Sequence, residues 1–368
     1  MNILITGGTG SFGQAFVQRM LGKCERLVIF SRDEKKQWEM AERFPAEKHG
    51  ELRYFIGDVR DRERLGMAMY GIDTVIHAAA LKHVPIAEYN PFECIRTNVG
   101  GAENVVRAAM QEGVGKVIAL SSDKAVAPVN LYGASKLAAD KIFVAANPIS
   151  RGARFAVVRY GNVVGSRGSV VEVYRALVER GDTHLPLTDP RMTRFWLTLE
   201  QGVEFVLKSL LDMKGGEIFV PRIPSMSMVE VAKSICPDCT FRIVGIRPGE
   251  KIHEVLVTED EGRTVAEPDR YVINPPWNNV GGPIRFASDK NARWLSREEF
   301  RSLAGLDVRP ANGGAITGPL VEGGWSWRTL SDGTVLAIPP PPQSPPDDDD
   351  EQSQEPERQD TYYGRDIG

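Results

Sequence analysis

Eight residues near the start of the chain, Thr6-Gly7-Gly8-Thr9-Gly10-Ser11-Phe12-Gly13, directly follow an apolar run at Asn2–Thr6 and open into a helical pattern. The three glycines at 7, 10 and 13 meet three separate needs of a dinucleotide loop. One makes the tight turn, one lets backbone approach a pyrophosphate, and one lets the helix pack on the strand. The unpaired N–H groups of the helix start then face the anion. Gly7, Thr9, Gly10, Ser11, Phe12 and Gly13 are therefore the expected cofactor loop. A glycine cluster alone could mark only a turn; the strand-turn-helix setting carries the assignment.

The rest of the first 220 residues repeats that alternation. Strands are expected at Arg26–Ser31, Arg53–Gly57, Thr74–Ala78, Lys116–Ser121, Phe155–Arg159 and Glu217–Val220, with helical segments such as Ser11–Leu21 and Asn98–Gln111 between them. The strand runs are continuously apolar, as strands buried on both faces are. Strand and helix in alternation imply an α/β, doubly wound parallel sheet of the Rossmann type. The expected organisation is a dinucleotide-binding domain over 1–164, to which 195–221 returns, and a smaller substrate-binding lobe over 165–194 and 222–304. Residues 305–338 form an unassigned extension. Residues 339–368, proline-rich and acidic, are expected to be a disordered tail.

That tail holds nine acidic residues against two arginines, a charge of −7 within a total of −4, so residues 1–339 stand near +3. Neither value suits a nucleic-acid surface. No apolar run reaches the roughly 20 residues of a membrane span, and no basic-then-apolar leader opens the sequence. A cytoplasmic protein is expected. Cys236-Pro237-Asp238-Cys239 is a lone CxxC without a second ligand pair, so no metal is expected, and four cysteines do not make a disulfide framework.

The end of the second strand chooses among cofactors. An acidic side chain there binds the ribose diol of NAD, whereas positive charge suits the 2′-phosphate of NADP. Ser31 and Arg32 occupy that spot and Lys35 follows a turn later, which favours NADP; Asp33 and Glu34 beside them read otherwise as a charged helix start. Asp58 and Val59 after the third strand are placed against adenine. Ala78 and Ala80, after the fourth, are small enough for the cofactor to lie close.

The chemistry concentrates in Ser121-Ser122-Asp123-Lys124-Ala125 and Tyr132-Gly133-Ala134-Ser135-Lys136. Tyr132 and Lys136 stand at i,i+4 on one helix face. An ammonium beside a phenol is expected to lower its pKa from about 10 and make it a usable base. Ser122 adds a hydroxyl, Asp123 a carboxylate and Lys124 an amine.

With these motifs in hand, the chain from about Asn2 to Leu303 resembles the extended short-chain dehydrogenases/reductases. More narrowly, it resembles the inverting UDP-N-acetylglucosamine 4,6-dehydratases of bacterial pseudaminic acid and capsule pathways. The likeness rests on 6–13, on SRDEKKQ after the second strand, and on 77–99, 120–141, 157–171, 189–196, 215–226 and 245–257. Where dTDP-glucose dehydratases carry Thr-Asp-Glu, this chain has Ser122-Asp123-Lys124, and the lysine marks the narrower group. The resemblance implies that Tyr132 deprotonates the C4 hydroxyl while NADP⁺ accepts the hydride. Lys124 then removes the C5 proton and Asp123 acts as the acid at C6. For Lys124 to be a base it must be neutral, so burial or a cation such as Lys136 is expected to depress its pKa.

The resemblance further implies substrate contacts from Lys82 and Asn162. Arg167, Arg194 and Arg247 are expected at the diphosphate or uracil, since guanidinium forks match phosphate geometry. It also implies a homo-oligomer. One departure is Glu172, where relatives carry proline after Ser-Val-Val. Two alternatives remain open: a nucleotide-sugar epimerase or reductase, which would use Tyr132 and Lys136 but not Asp123 and Lys124, and a non-catalytic NADP-sensing module.

Overall fold

A computed structural model describes residues 1–166, 168–306, 326–329 and 335–338. Met1–Arg309 form one compact unit. Beyond it, the strands Ser326–Thr329 and Val335–Ile338 pair antiparallel with each other. The expected tail at 339–368 and most of the extension at 305–338 lie outside the described residues.

The unit is built on a nine-stranded sheet. Its first six strands are β1 (Asn2–Thr6), β2 (Arg26–Ser31), β3 (Leu52–Ile56), β4 (Thr74–His77), β5 (Lys116–Ser122) and β6 (Arg154–Tyr160). They lie in the order β6-β5-β4-β1-β2-β3, every pair parallel. Each starts and ends within a residue of its expected position, because buried apolar runs such as Ile3-Leu4-Ile5 leave no freedom of register. Helices on both faces close over these residues, and each fully buried Leu, Ile, Val or Phe contributes about 1.5–3 kcal/mol.

The strand Ile218–Pro221 joins β6 in parallel. The sheet then departs from an all-parallel pattern. Arg270–Ile273 pairs antiparallel with 218–221, and Thr264–Ala266 pairs antiparallel with Arg270–Ile273. Both come from the range read as lobe. Strands this short carry too little periodicity to stand out, and an antiparallel edge needs no crossover helix to announce it. The expected helix from Asn98 begins as a helix only at Gly101, after a wider turn over Arg96–Gly100.

Smaller elements rise beside the carboxyl ends of the strands. The strand Thr193–Leu197 runs between Asn162–Val163 and Ser225–Ser227, and His184–Leu187 pairs with Thr240–Ile243. Helices Val170–Glu179, Met228–Ile235 and Arg297–Leu303 pack around Trp196, Val231 and Phe300. Cys236 and Cys239 are joined by a disulfide with Cα atoms 5.4 Å apart, within the range such a bond requires. The sequence reading did not anticipate that bond.

Candidate active site

The order reversal between β1 and β4 opens a cleft of about 910 Å³ at the strands' carboxyl ends, the place where open α/β sheets hold ligands. Its floor is the glycine loop. The Gly7 N–H donates to the Phe30 carbonyl at 2.9 Å, and Gly7 has φ +68°, with Ala79 backbone 2.9 Å from where a Cβ would sit. At Gly13 a Cβ would lie 2.3 Å from the Gly8 carbonyl oxygen, so only glycine lets this helix meet the loop. Helix Ser11–Met20 starts at Gly10 without a side-chain cap, and its positive end borders the cleft. Those features fit a pyrophosphate.

Ser31 ends β2, buried, with its hydroxyl 2.8 Å from that of Thr9. Arg32 is half exposed and 3.6 Å from Asp58, which Arg60 also pairs at 2.8 Å. Asp58, Val59, Ala78 and Ala80 line the cleft as expected, but Lys35 does not; Lys36 does. The helix Glu34–Arg43 starts on the Asp33 cap, and a step of about 100° per residue turns Lys36, paired with Asp33 at 2.6 Å, toward the cleft.

The groups expected to react meet where β5 ends. Asp123–Ala125 form a single tight turn, and the Ser122 hydroxyl accepts from the Lys124 N–H at 3.2 Å while donating to Asp123 Oδ1 at 2.8 Å. Lys124 Nζ lies 3.1 Å from Asp123 Oδ1 and 3.9 Å from Glu254 Oε1. Helix Leu131–Ile149, capped by the Asn130 side chain, carries Tyr132 and Lys136. It reaches the turn because Gly133 has no side chain: a Cβ there would stand 2.2 Å from the Lys124 carbonyl oxygen. A glycine in a first helical turn costs about 1 kcal/mol relative to alanine, and that cost was a readable signal of close approach.

Two electrostatic expectations are corrected. Burial alone would lower the Lys124 pKa, but Asp123 and then Glu254 outweigh it and hold the ammonium above the ordinary lysine range. Lys136 is not the neighbour that governs it. The Tyr132 phenol is likewise raised rather than lowered. Burial dominates, and the opposing pull comes from Lys124 and a hydrogen bond with Ser122. Lys136 donates instead to the Leu120 carbonyl, and burial lowers its pKa. The misreading came from treating sequence spacing as contact.

Lys82, Asn162, Arg194 and Arg247 all line the cleft, while Arg167 lies outside the described residues. Asn162 Oδ1 is buried without a hydrogen-bond partner among the described residues. Arg194 is committed to the protein more than expected: its guanidinium donates to the carbonyls of Thr193, Ile252 and Lys251 at 2.8–2.9 Å. Arg247 stays largely exposed near Glu250. A second hollow of about 200 Å³ shares Lys124, Asn162, Arg194, Arg247 and Glu250 with the cleft and adds Glu254. Glu172 does local work, accepting from the Gly168 N–H at 2.6 Å at the start of helix 170–179. Glu254 was missed in the sequence, since a carboxylate amid Ile252, Val255 and Leu256 has no spacing that ties it to position 124. Among the described residues, no group of three or more His, Cys, Asp and Glu could hold a metal, and no helix is long and apolar enough to cross a membrane.

A Rossmann sheet whose fifth strand delivers Ser122 beside a helix bearing Tyr132 and Lys136 is the architecture of an extended short-chain dehydrogenase/reductase. Within that class the chain belongs to the polysaccharide biosynthesis protein family, whose profile matches residues 3–275. It is 51% identical over 325 residues to a UDP-N-acetylglucosamine 4,6-dehydratase (inverting) of Campylobacter jejuni, covering 82% of this chain and 96% of the relative. It is 43% identical over 270 residues to a UDP-glucose 4-epimerase of Rickettsia typhi, covering 70% and 78%. Among solved structures, Pen from Bacillus thuringiensis superposes with a TM-score of 0.76 at 36% identity, over 82% of this chain and 97% of that one.

Proposed function

We propose that this chain dehydrates UDP-N-acetylglucosamine to a UDP-4-keto-6-deoxy-N-acetylhexosamine with inversion at C5, using NADP, for bacterial surface-glycan or pseudaminic acid synthesis. The observation that carries this reading is the Lys124 amine, 3.1 Å from the Asp123 carboxylate and facing the same cleft as Tyr132 and the glycine loop. Keeping two buried carboxylates beside a part-buried lysine is costly, and an epimerase, which needs only Tyr132 and Lys136, would have no use for them. The 51% identity to a named dehydratase over 82% of this chain, against 43% to the epimerase over 70%, supports the same choice.

When bound, the nicotinamide would supply hydride removal at C4, which acidifies C5, and hydride return at C6 after water has left, so that no net oxidant is consumed. Ser31, Arg32 and Lys36 favour the 2′-phosphate form, and Gly7, Thr9, Gly10, Ser11, Phe12 and Gly13 hold the pyrophosphate. Tyr132 takes the C4 hydroxyl proton once it is a phenolate, the form that the Lys124 charge and the Ser122 hydrogen bond favour against burial, with Lys136 fixed behind. Lys124 passes its proton to Asp123, 3.1 Å away, and as the free amine removes the C5 proton; Asp123 then gives the proton it received to the C6 hydroxyl, which departs as water. Lys82, Asn162, Arg194 and Arg247 orient the sugar nucleotide. In this division of labour 1–164 and 195–221 hold the cofactor, while 165–194 and 222–304 cover the substrate. We read the assembly as a cytoplasmic homo-oligomer.

The test is incubation with UDP-N-acetylglucosamine in D₂O without added reductant. Loss of water with deuterium at C5 is expected, and the C5 coupling pattern reports the configuration. Inversion at C4 without loss of mass would replace this reading with an epimerase, and no turnover with a binding module.

A further inference from the structure

Glu254 has no part in the roles above, yet it is one of the most confined charged groups in the unit. Its side chain is 4% exposed, and Oε2 has no hydrogen-bond partner among the described residues. The backbone around it is tied down: the Glu254 N–H donates to Ser288 Oγ at 2.9 Å, and the Ser288 N–H donates back to the Glu254 carbonyl at 2.8 Å. Ser288 in turn bonds Thr193, next to Arg194. Oε1 faces Lys124 Nζ at 3.9 Å and Arg194 Nε at 3.7 Å. Asp123 lies 3.1 Å from the same Nζ, and its Oδ2 is also buried with no partner among the described residues. One amine is thus shared by two carboxylates from separate parts of the chain.

We propose that Glu254 is a positioning residue for the elimination, holding the Lys124 amine together with Asp123 and thereby governing when that amine is free to take a proton. The proposal rests on Lys124 being the C5 base. A carboxylate left with an idle oxygen in so dry a place is expensive unless it serves the site. Its geometry supplies a service. Asp123 pairs the amine from the turn at 3.1 Å, and Glu254, on the segment after Lys251, pairs it from a second segment at 3.9 Å. The charged groups that bear on Glu254 are Asp123 and Lys124 from the turn after β5, Arg194 from strand 193–197 and Lys251 from its own segment; Tyr132 on its helix faces Lys124.

The direction of the effect follows from charge. Replacing Glu254 by glutamine removes a negative neighbour, so the amine releases its proton at lower pH. The first measurement is a titration of the Lys124 amine by NMR after reductive ¹³C-methylation, assigned with Lys124→Arg, in wild type and in Glu254→Gln. The second is the pH profile of water loss from UDP-N-acetylglucosamine, with C4 oxidation followed separately by absorbance. In Glu254→Gln the titration and the ascending limb should both move down by about one pH unit or more, with C4 oxidation retained. Glu254→Asp, which keeps the charge but withdraws it, should keep the limb and lose about tenfold in rate. An unmoved limb in a folded Glu254→Gln protein overturns the proposal, whatever the overall rate. Failure of both variants to fold also overturns it, by assigning the carboxylate to the scaffold. A wild-type protein that never eliminates water defeats the proposed function, and the titration then still shows whether Glu254 and Lys124 are coupled.

Discussion

The Lys136 ammonium donates to the Leu120 carbonyl at 2.6 Å, across from the helix that carries it to the strand that ends at the reacting groups. This bond fixes the rotation of helix 131–149 about β5 and with it the direction of Tyr132. Asp140, one turn further on, accepts from Ser121 at 2.9 Å and lies 3.5 Å from Arg159, so the helix is held to the sheet at successive turns.

Replacing Lys136 by methionine should therefore affect catalysis far more than folding. Turnover should fall about 10² to 10⁴-fold, the usual contribution of a positioned acid–base apparatus. Unfolding by urea should change by no more than about 1–3 kcal/mol, the cost of an unpaired carbonyl. A loss of stability without loss of turnover would reverse this assignment.

Lys124→Ala should abolish water loss and C5 deuteration while dinucleotide affinity, measured by calorimetry, stays at the wild-type value. In wild type the sign of the pH dependence is set by Asp123 and Glu254, which hold the ammonium above its ordinary range. The neutral amine is then the minor form near neutrality, and kcat/KM should rise with pH through the alkaline range. Normal product formation by Lys124→Ala would remove it from the mechanism.

Arg32 stands at the end of β2 with a half-exposed guanidinium. Arg32→Ala should weaken NADP binding about tenfold, the low end for a hydrogen bond to a charged group, and leave NAD unaffected. Equal losses for both cofactors would show that Arg32 supports the loop and does not choose between them.

His77 gives a stability prediction independent of function. It is fully buried against Phe143, with Nδ1 2.8 Å from the Thr6 hydroxyl, and burial pulls its pKa down to about 3. The unfolded imidazole keeps a pKa near 6.5. The unfolded chain therefore binds the proton first, and stability is full above about pH 6.5 and declines as pH falls toward 3, by up to ~1.4 kcal/mol per unit. His77→Gln should remove that part of the slope in urea titrations compared across pH. An identical slope in both proteins would rule the imidazole out.

The cofactor half of the molecule was legible because its signals are local. Ile3-Leu4-Ile5 and Val117-Ile118-Ala119 have no alternative to burial, and the glycine loop has few other uses. The reaction centre was legible in its membership, since Ser122, Lys124, Tyr132 and Lys136 do meet in one cleft. Its charge states were not. They depend on Glu254, which reaches Lys124 from a distant part of the chain, and on a Lys136 that turns to the strand carbonyl instead of the phenol. The side of a helix on which Lys35 or Lys36 falls depends on its start, and a cap shifted by one residue exchanges them.

The short antiparallel pair at 264–266 and 270–273 has a mechanical consequence. Because 218–221 is stitched to β6 on one side and to 270–273 on the other, the platform beneath both ligands is a single ribbon of backbone bonds. Jaws swinging about a hinge would have to tear that ribbon. The segment carrying Arg247 lies outside that ribbon and is largely exposed, so it can shift without breaking a single strand-to-strand bond beneath Tyr132.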